Sequence, residues 1–126
     1  MTPAEKAREA RRLIAQDDVA TRFAWAPAAV ILARQALEGT IDSHYRKFPS
    51  TRGIADATWR EKLICLPFYF RPDDPEGKAL VERVAWCWVA LSNAAHERGL
   101  TMTPSASDIA KWLETVDAFV AAVEGA

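Results

Sequence analysis

The segment from Leu80 to Leu100 constrains the fold most, because it is apolar on more than one side. On a helical wheel of about 100° per residue, one apolar stripe comprises Val81, Val84, Ala85, Trp88, Leu91 and Ala95. The opposite side is also apolar, with Trp86, Val89, Ala90 and Ala94. A helix that is apolar on both sides is normally enclosed on both sides. We therefore expect one side to meet the core of its own chain, and the other to meet a further helix or a second copy of the protein.

A polar pair lies near the end of the same segment. Asn93 and His96 are three residues apart, so they are neighbours on the helix surface. A histidine can take a proton from a ribose 2′-hydroxyl or give one to a leaving oxygen, and an arginine can hold the phosphate. The candidate catalytic residues are therefore His96, Asn93 and Arg98, beside a dimer interface predicted at Trp86, Val89 and Ala90.

A second helix is predicted from Ala28, with one apolar stripe and Arg34 at its edge. The stripe comprises Val30, Ala33, Leu37, Ile41, His44 and Phe48. His44 can be a half-buried histidine that hydrogen-bonds a carbonyl, or it can contact a substrate, and the sequence leaves both interpretations open.

The segment from Tyr45 to Gly53 is predicted to be a loop by its Pro, Ser and Gly residues. It contains three cations, Arg46, Lys47 and Arg52, and no acidic residue. Such a cluster can hold a phosphate or can simply be solvated. Together with His44 and Arg34, the arginines Arg46 and Arg52 are the candidate substrate-binding residues.

The remaining patterns are also helical. A capping box at Thr2 and Glu5 starts a first helix, a short third helix is expected to end near Pro67, and the central helix is expected to open at Asp74 and Pro75. The last helix has one apolar face, made of Ile109, Trp112, Leu113, Val116, Phe119, Val120 and Val123. With no strand pair, the prediction is an all-α, up-down antiparallel bundle of about five helices, forming a single domain over residues 1–126.

Composition excludes several classes of function. The net charge of −1 argues against bulk attraction to nucleic acid or membrane, although a local basic patch remains compatible with it. No apolar run approaches the ~20 residues needed to cross a bilayer. Cys65 and Cys87 lie in apolar runs, which predicts free buried thiols and a cytoplasmic protein. With so few Cys and His residues, we predict no metal site and no cofactor.

Short pieces of the chain resemble the HEPN superfamily of small bacterial helical bundles. The pieces are residues 33–38 (ARQALE), residues 91–97 (LSNAAHE) and the closing helix with Thr103-Pro104, Ile109 and Trp112-Leu113. The resemblance extends from about Val30 to Val120. It implies a bundle of four to five helices, usually a homodimer, with roles in toxin–antitoxin, phage-defence or stress systems, commonly as a metal-independent ribonuclease.

The family site that this resemblance implies is an arginine followed after a short spacer by a histidine, with two copies facing each other across the dimer. His96 matches the histidine and Asn93 matches a polar position of the motif. The motif arginine is not matched, because Val89, Ala90 and Leu91 stand where it is expected. Arg34, Arg46 and Arg98 are the cations that can replace it, or else the site is degenerate.

Three hypotheses follow from these observations. The first is an RNA-binding or ribonuclease-like HEPN protein. The second is a non-catalytic homodimeric module that binds a nucleotide or a partner protein such as a cognate antitoxin. The third is a small-molecule site at Trp59, Phe68, Tyr69 and Phe70, although these aromatic residues are expected mainly to close the hydrophobic end of the bundle.

Overall fold

A computed structural model of the chain describes residues 1–16, 18–96 and 103–125, except the side chain of Val19. Over these residues the protein is helical and contains no strand, which confirms the predicted all-α class. The α-helices are α1 (Pro3–Ile14), α2 (Arg22–Arg46), α3 (Trp59–Tyr69), α4 (Pro75–His96) and α5 (Ala106–Glu124). Short 3₁₀ turns at Val19–Thr21 and Arg52–Asp56 precede α2 and α3.

Local side-chain caps fix where the helices begin. At α1 the Thr2 hydroxyl accepts from the Glu5 amide and the Glu5 carboxylate accepts from the Thr2 amide, as the sequence predicts. Ser105 and Asp108 form the same reciprocal pair at α5. At α4 the Asp74 carboxylate accepts from the Glu76 amide at 3.1 Å. These bonds satisfy amide groups that have no partner within the first turn of a helix.

Two prolines lie inside helices that we expected them to bound. The sequence predicts that the second helix starts at Ala28, but α2 begins at Arg22 and includes Pro27. Pro67 likewise lies inside α3. A proline removes one intrahelical hydrogen bond, that from residue 27 to the carbonyl of Phe23 in α2. Pro27 and Phe23 are both exposed, so water can satisfy this carbonyl and the helix continues.

The core forms around α2, which contacts α1, α4 and α5. The stripe predicted along this helix is buried over most of its length, and it ends on Tyr45, because Phe48 lies beyond α2 and is exposed. Buried residues of α5 and α4 complete the same core: Ile109, Leu113, Val116, Phe119 and Val123 from α5, and Val81, Val84 and Leu91 from α4.

Contacts between α4 and α5 occur in opposite chain order. Arg83 donates to the Thr115 hydroxyl at 3.5 Å, and Arg71, just before α4, donates to the carbonyl of Ala122 at 3.2 Å. The last turn of α2 lies at this same end, because the Lys47 ammonium that follows it donates to the carbonyl of Val123. The start of α4 and the ends of α2 and α5 therefore lie together, and the last turn of α4 lies at the far end.

The turn from α3 to α4 depends on a close backbone approach. Arg71 has φ 42°, in the left-handed region that non-glycine residues seldom adopt. A Cβ atom placed on Gly77 would lie 2.6 Å from the Cβ of Arg71, so only glycine fits there. This contact fixes how the first turn of α4 leaves the end of α3.

Helix α3 is held across α2 and α4 by a small polar and aromatic cluster. The Trp59 and Trp88 rings stack with centroids 6.4 Å apart. The buried Lys62 ammonium lies 2.8 Å from the Asp42 carboxylate and 3.9 Å from the centroid of the Trp59 ring. The Tyr45 hydroxyl, inside the core, donates to the carbonyl of Lys62. Both partners of a buried charge pair must be present for it to be tolerated, so this cluster favours one position of α3.

The first prediction concerns the core stripe of α2. Replacing the fully buried Leu37 with alanine should lower the free energy of unfolding by about 2–5 kcal/mol, since it removes apolar contacts and leaves a cavity. Urea denaturation followed by circular dichroism measures this change. The control is Gln35→Ala on the exposed side of the same helix, which should stay within about 0.5 kcal/mol of the wild type. Equal effects of the two substitutions would contradict the assigned core.

Candidate functional site

One face of α4 is exposed along its whole second half. The residues of this face are spaced alternately four and three apart, and we call them the α4 stripe: Glu82, Trp86, Val89, Asn93 and His96. Trp86 is 77% exposed and Val89 is 44% exposed. Alternating spacings of four and three are those by which one helix packs along another. The structure thus places Trp86 and Val89, two of the three predicted interface residues, on one surface with the predicted polar pair, and the third, Ala90, lines the groove beside it.

A groove of about 370 Å³ runs beside the α4 stripe, between α4 and α5. The lining residues are Arg83, Trp86, Cys87, Ala90, Trp112 and Thr115. Two indole rings and a small alanine make this groove mainly apolar, with a single guanidinium at its rim. Its shape and composition suit an inserted apolar side chain.

The thiol of Cys87 lies in the wall of this groove but is not a reactive nucleophile. It donates to the carbonyl of Trp112 at 3.5 Å. Burial raises the pKa of the Cys87 thiol to about 12, so the group stays protonated at neutral pH. Because the thiolate is the nucleophilic form, Cys87 is a structural residue here. Cys65 is also a free cysteine, and it is half-buried.

Arg34 lies on the seam between α2 and α4. The Trp88 indole of α4 donates to the Glu38 carboxylate of α2 at 3.0 Å, so these two residues lie at the same height along the bundle. Arg34 is one turn before Glu38, and Ser92 is one turn after Trp88, so the two stand at the same level towards the end of α4. The Nε atom of Arg34 and the hydroxyl of Ser92 are both buried, and neither has a hydrogen-bond partner among the described residues. Of the predicted arginines that the structure describes, Arg34 is the one at the level of the polar pair.

His44 joins the end of α2 to the end of α3. Its Nε2 atom donates to the carbonyl of Tyr69 at 3.1 Å, and its ring meets the edge of Phe70 with centroids 5.3 Å apart. Burial lowers the pKa of His44 below 6.5, the Tyr69 hydrogen bond opposes this change, and the nearby Lys47 adds to it. The geometry is that of a half-buried histidine on a carbonyl, one of the two interpretations that the sequence left open.

The cations of the predicted basic loop have different partners. Arg46 lies 3.5 Å from the Asp56 carboxylate, and both side chains are largely exposed. Lys47 is committed to the carbonyl of Val123, which stabilises the negative C-terminal end of α5. Arg52 is exposed. Arg52 is therefore the loop cation that no contact among the described residues engages.

The structure does not gather all the predicted site residues in one place. Helix α4 spans about 30 Å at 1.5 Å per residue. Asn93 and His96 lie at its end, whereas His44 and Arg46 lie near its start, together with the loop that carries Arg52. Within one chain Asn93 and His96, with Arg34 at their level, are therefore separated from the other predicted substrate-binding residues, His44, Arg46 and Arg52. Arg98, the third predicted catalytic residue, lies outside the described residues.

The aromatic residues after Leu66 differ from expectation. We expected Phe68, Tyr69 and Phe70 to close the hydrophobic end of the bundle. Phe70 is buried against Phe119, but Phe68 is 72% exposed and Tyr69 is 48% exposed. The reason is that α3 continues through Tyr69, and residues on a helix turn by about 100° each, so neighbouring side chains face different ways. The four-residue spacing of Arg60, Ile64 and Phe68 places these residues on one face of a helix, and the charged Arg60 indicates that this face is exposed.

Metal-binding clusters and membrane-spanning helices are both absent from the described residues. No group of three or more His, Cys, Asp and Glu side chains there is arranged so that it could hold a metal ion. None of the helices in that part of the chain has the length and hydropathy that crossing a bilayer requires.

Comparison of the chain with protein-family models, with curated proteins and with solved structures found no match. The surfaces described above therefore provide the structural basis for a proposed function. The α4 stripe is the strongest of them, because it joins exposed apolar side chains to Asn93 and His96.

The second prediction concerns the titration of His44. The pKa of His44 in the folded protein lies below 6.5. As the pH falls through 6.5, His44 therefore binds a proton more readily in the unfolded chain than in the folded one. The free energy of unfolding should therefore decrease on going from pH 7.5 towards pH 5.5, and His44→Gln should remove that part of the decrease. Urea denaturation of both proteins at several pH values measures it. The same pH dependence in both proteins would show that His44 does not contribute.

Proposed function

We propose that this chain is a HEPN-like protein that works as a homodimer, with the α4 stripes of two copies packed against each other. The observation that carries this proposal is the exposure of the Trp86 indole within a stripe of helix-packing spacing. A large apolar side chain gains most from burial, and an indole commonly anchors an interface. A soluble monomer gains nothing from exposing Trp86 and Val89 side by side.

The surface is self-complementary, which favours a second copy as the partner. The Trp86 indole projects beside the groove lined by Ala90 and Trp112. In a two-fold dimer the same patch of both copies forms the interface. The Trp86 indole of one copy can therefore insert into the groove of the other copy.

Pairing through the α4 stripe also brings polar side chains to the boundary between the two copies. Asn93 and His96 belong to the α4 stripe, so pairing through Trp86 and Val89 places both polar pairs beside the partner. Arg34, at the level of Ser92 on the neighbouring helix, supplies a guanidinium at the same height along the bundle. Imidazole, carboxamide and guanidinium together suit an RNA or nucleotide phosphate.

The biological role that we propose follows from this arrangement and from the HEPN resemblance. The chain folds as a single up-down antiparallel bundle and acts in the cytoplasm of a bacterium, in a toxin–antitoxin, phage-defence or stress system. The motif arginine is not matched before His96, and Val89 to Leu91 fill its place. We therefore favour an interaction module, which binds a cognate antitoxin, another partner protein or a nucleotide, over an efficient enzyme.

The third prediction tests the dimer. Trp86→Glu should raise the dimer dissociation constant by roughly a hundredfold or more, because it places an unpaired carboxylate in the interface. Sedimentation equilibrium at micromolar protein concentration measures the mass. The matched control is Phe68→Glu, which changes an aromatic residue of similar exposure on α3 and should leave the mass unchanged. A monomeric wild type, or a dimer that tolerates Trp86→Glu, would rule out this interface.

A metal-independent ribonuclease is the second candidate function, favoured by the exposure of Asn93 and His96 together. The fourth prediction is that purified protein cleaves RNA in the presence of a chelator and that His96→Ala lowers the rate by about 10²–10⁴, the usual contribution of a general acid or base. Electrophoresis of the cleaved RNA measures this rate. Gln35→Ala is the control, and no cleavage by the wild type would leave only the interaction module.

A further inference from the structure

A second set of exposed residues, none of them in the α4 stripe, lies on α3 and on the segment before it. On α3, Arg60, Ile64 and Phe68 are spaced four residues apart and are all exposed, so they form one outward row. Phe48 and Arg52, from the segment between α2 and α3, are also exposed. We call these five residues the α3 surface. None of them has a role in the proposed dimer.

Contacts near Tyr45 bring the two parts of this surface together. The rings of Tyr45 and Tyr69 meet edge to face with centroids 6.4 Å apart. Phe48 follows Tyr45 by three residues, and Phe68 directly precedes Tyr69. The Thr51 hydroxyl, between Phe48 and Arg52, donates to the carbonyl of Tyr45 and so holds this loop against the end of α2. The 3₁₀ turn that contains Arg52 also contacts α3. The two exposed phenyl rings and two guanidinium groups thus belong to segments that pack beside each other, the end of α2 with its following turn and α3.

The charge of this region differs in sign from that of the rest of the chain. Residues 43–72 contain six Lys or Arg residues and two Asp or Glu residues, a net charge of +4. The other 96 residues contain ten basic and fifteen acidic residues, a net charge of −5, which together give the total of −1. A local basic patch on an acidic protein attracts a polyanion to that patch and repels it elsewhere.

Within this basic region, Arg52 and Arg60 are the cations available to a ligand. Lys62 is buried beside Asp42, and Arg46 lies beside Asp56. Lys47 and Arg71 donate to carbonyls at the end of α5. Arg52 and Arg60 are exposed, and no ion pair among the described residues engages them.

We infer that the α3 surface binds a single strand of nucleic acid. The exposed rings of Phe48 and Phe68 are stacking faces for unpaired bases, and Arg52 and Arg60 can contact the phosphates between them. A duplex hides the faces of its bases, so the rings favour single strands. An acidic protein would match the cations but would leave the flat aromatic faces without a function. This inference stands apart from the α4 pairing, since it uses different residues.

Binding is measured by fluorescence anisotropy with a labelled oligouridylate, using the full chain at low and moderate salt. The wild type should bind, with an affinity that falls as salt rises. Phe68→Ala should weaken binding by roughly fivefold to a hundredfold, the usual effect of losing one stacked base. Phe23→Ala is the matched control, because Phe23 is 79% exposed but lies on the first turn of α2, so it should bind like the wild type.

The cations provide an independent readout. Arg60→Gln should reduce the slope of log affinity against log salt by about 0.7, the value for one phosphate contact to a single strand. Arg8→Gln, on the exposed side of α1, should leave the slope unchanged. Thermal unfolding followed by circular dichroism should show all four variants to be folded. The inference is overturned if the wild type does not bind, if a duplex or polyglutamate competes as well as the single strand, or if Phe23→Ala weakens binding as much as Phe68→Ala.

Discussion

Burial of the apolar stripe of α2 is the interaction on which the other helices depend. From Val30 to Ile41 the stripe is almost completely enclosed, and it contacts α1, α4 and α5. At roughly 25 cal/mol per Å² of buried apolar surface, burial on this scale is the dominant favourable contribution to folding. Since α1, α4 and α5 all pack on α2, this helix aligns each of them. The positions of the exposed groups on these helices follow from that alignment.

Polar contacts select among the arrangements that apolar packing allows. The pair of Lys62 with Asp42 and the hydrogen bond of Trp88 with Glu38 each join two helices at one defined level. The carbonyls at the end of α5 accept from Lys47 and Arg71, which come from two other parts of the chain. Charge-assisted bonds of this kind are directional, so they favour one relative position of the helices where apolar contacts would tolerate several.

The exposed groups are divided between two surfaces, and this division has a consequence for function. The α4 stripe carries an indole, a carboxamide and an imidazole, which suits a boundary between copies. The α3 surface carries phenyl rings and guanidinium groups. The ends of α4 are about 30 Å apart. A strand of nucleic acid held on the α3 surface could reach Asn93 and His96 only by extending along the molecule or, in the dimer that we propose, by reaching those of the other copy.

The sequence by itself determined the helices and which of their faces are apolar, because caps and 3.6-residue periodicity are local properties. The capping box at Thr2, the start of α4 at Pro75 and the stripe from Val30 to Ile41 were all predictable on that basis. The sequence also grouped Trp86 and Val89 on one side of that helix, although it predicted this side to be covered, and in the single chain both residues are exposed.

Only the tertiary structure decided which distant residues meet. Periodicity cannot show that His44 binds the Tyr69 carbonyl, or that His44 and His96 lie at opposite ends of the molecule, since these facts depend on how helices are aligned. It also misassigned Phe68, because an aromatic residue beside buried neighbours looks like part of the core until the course of α3 is known. Local sequence sets the faces of a helix, whereas packing sets what each face meets.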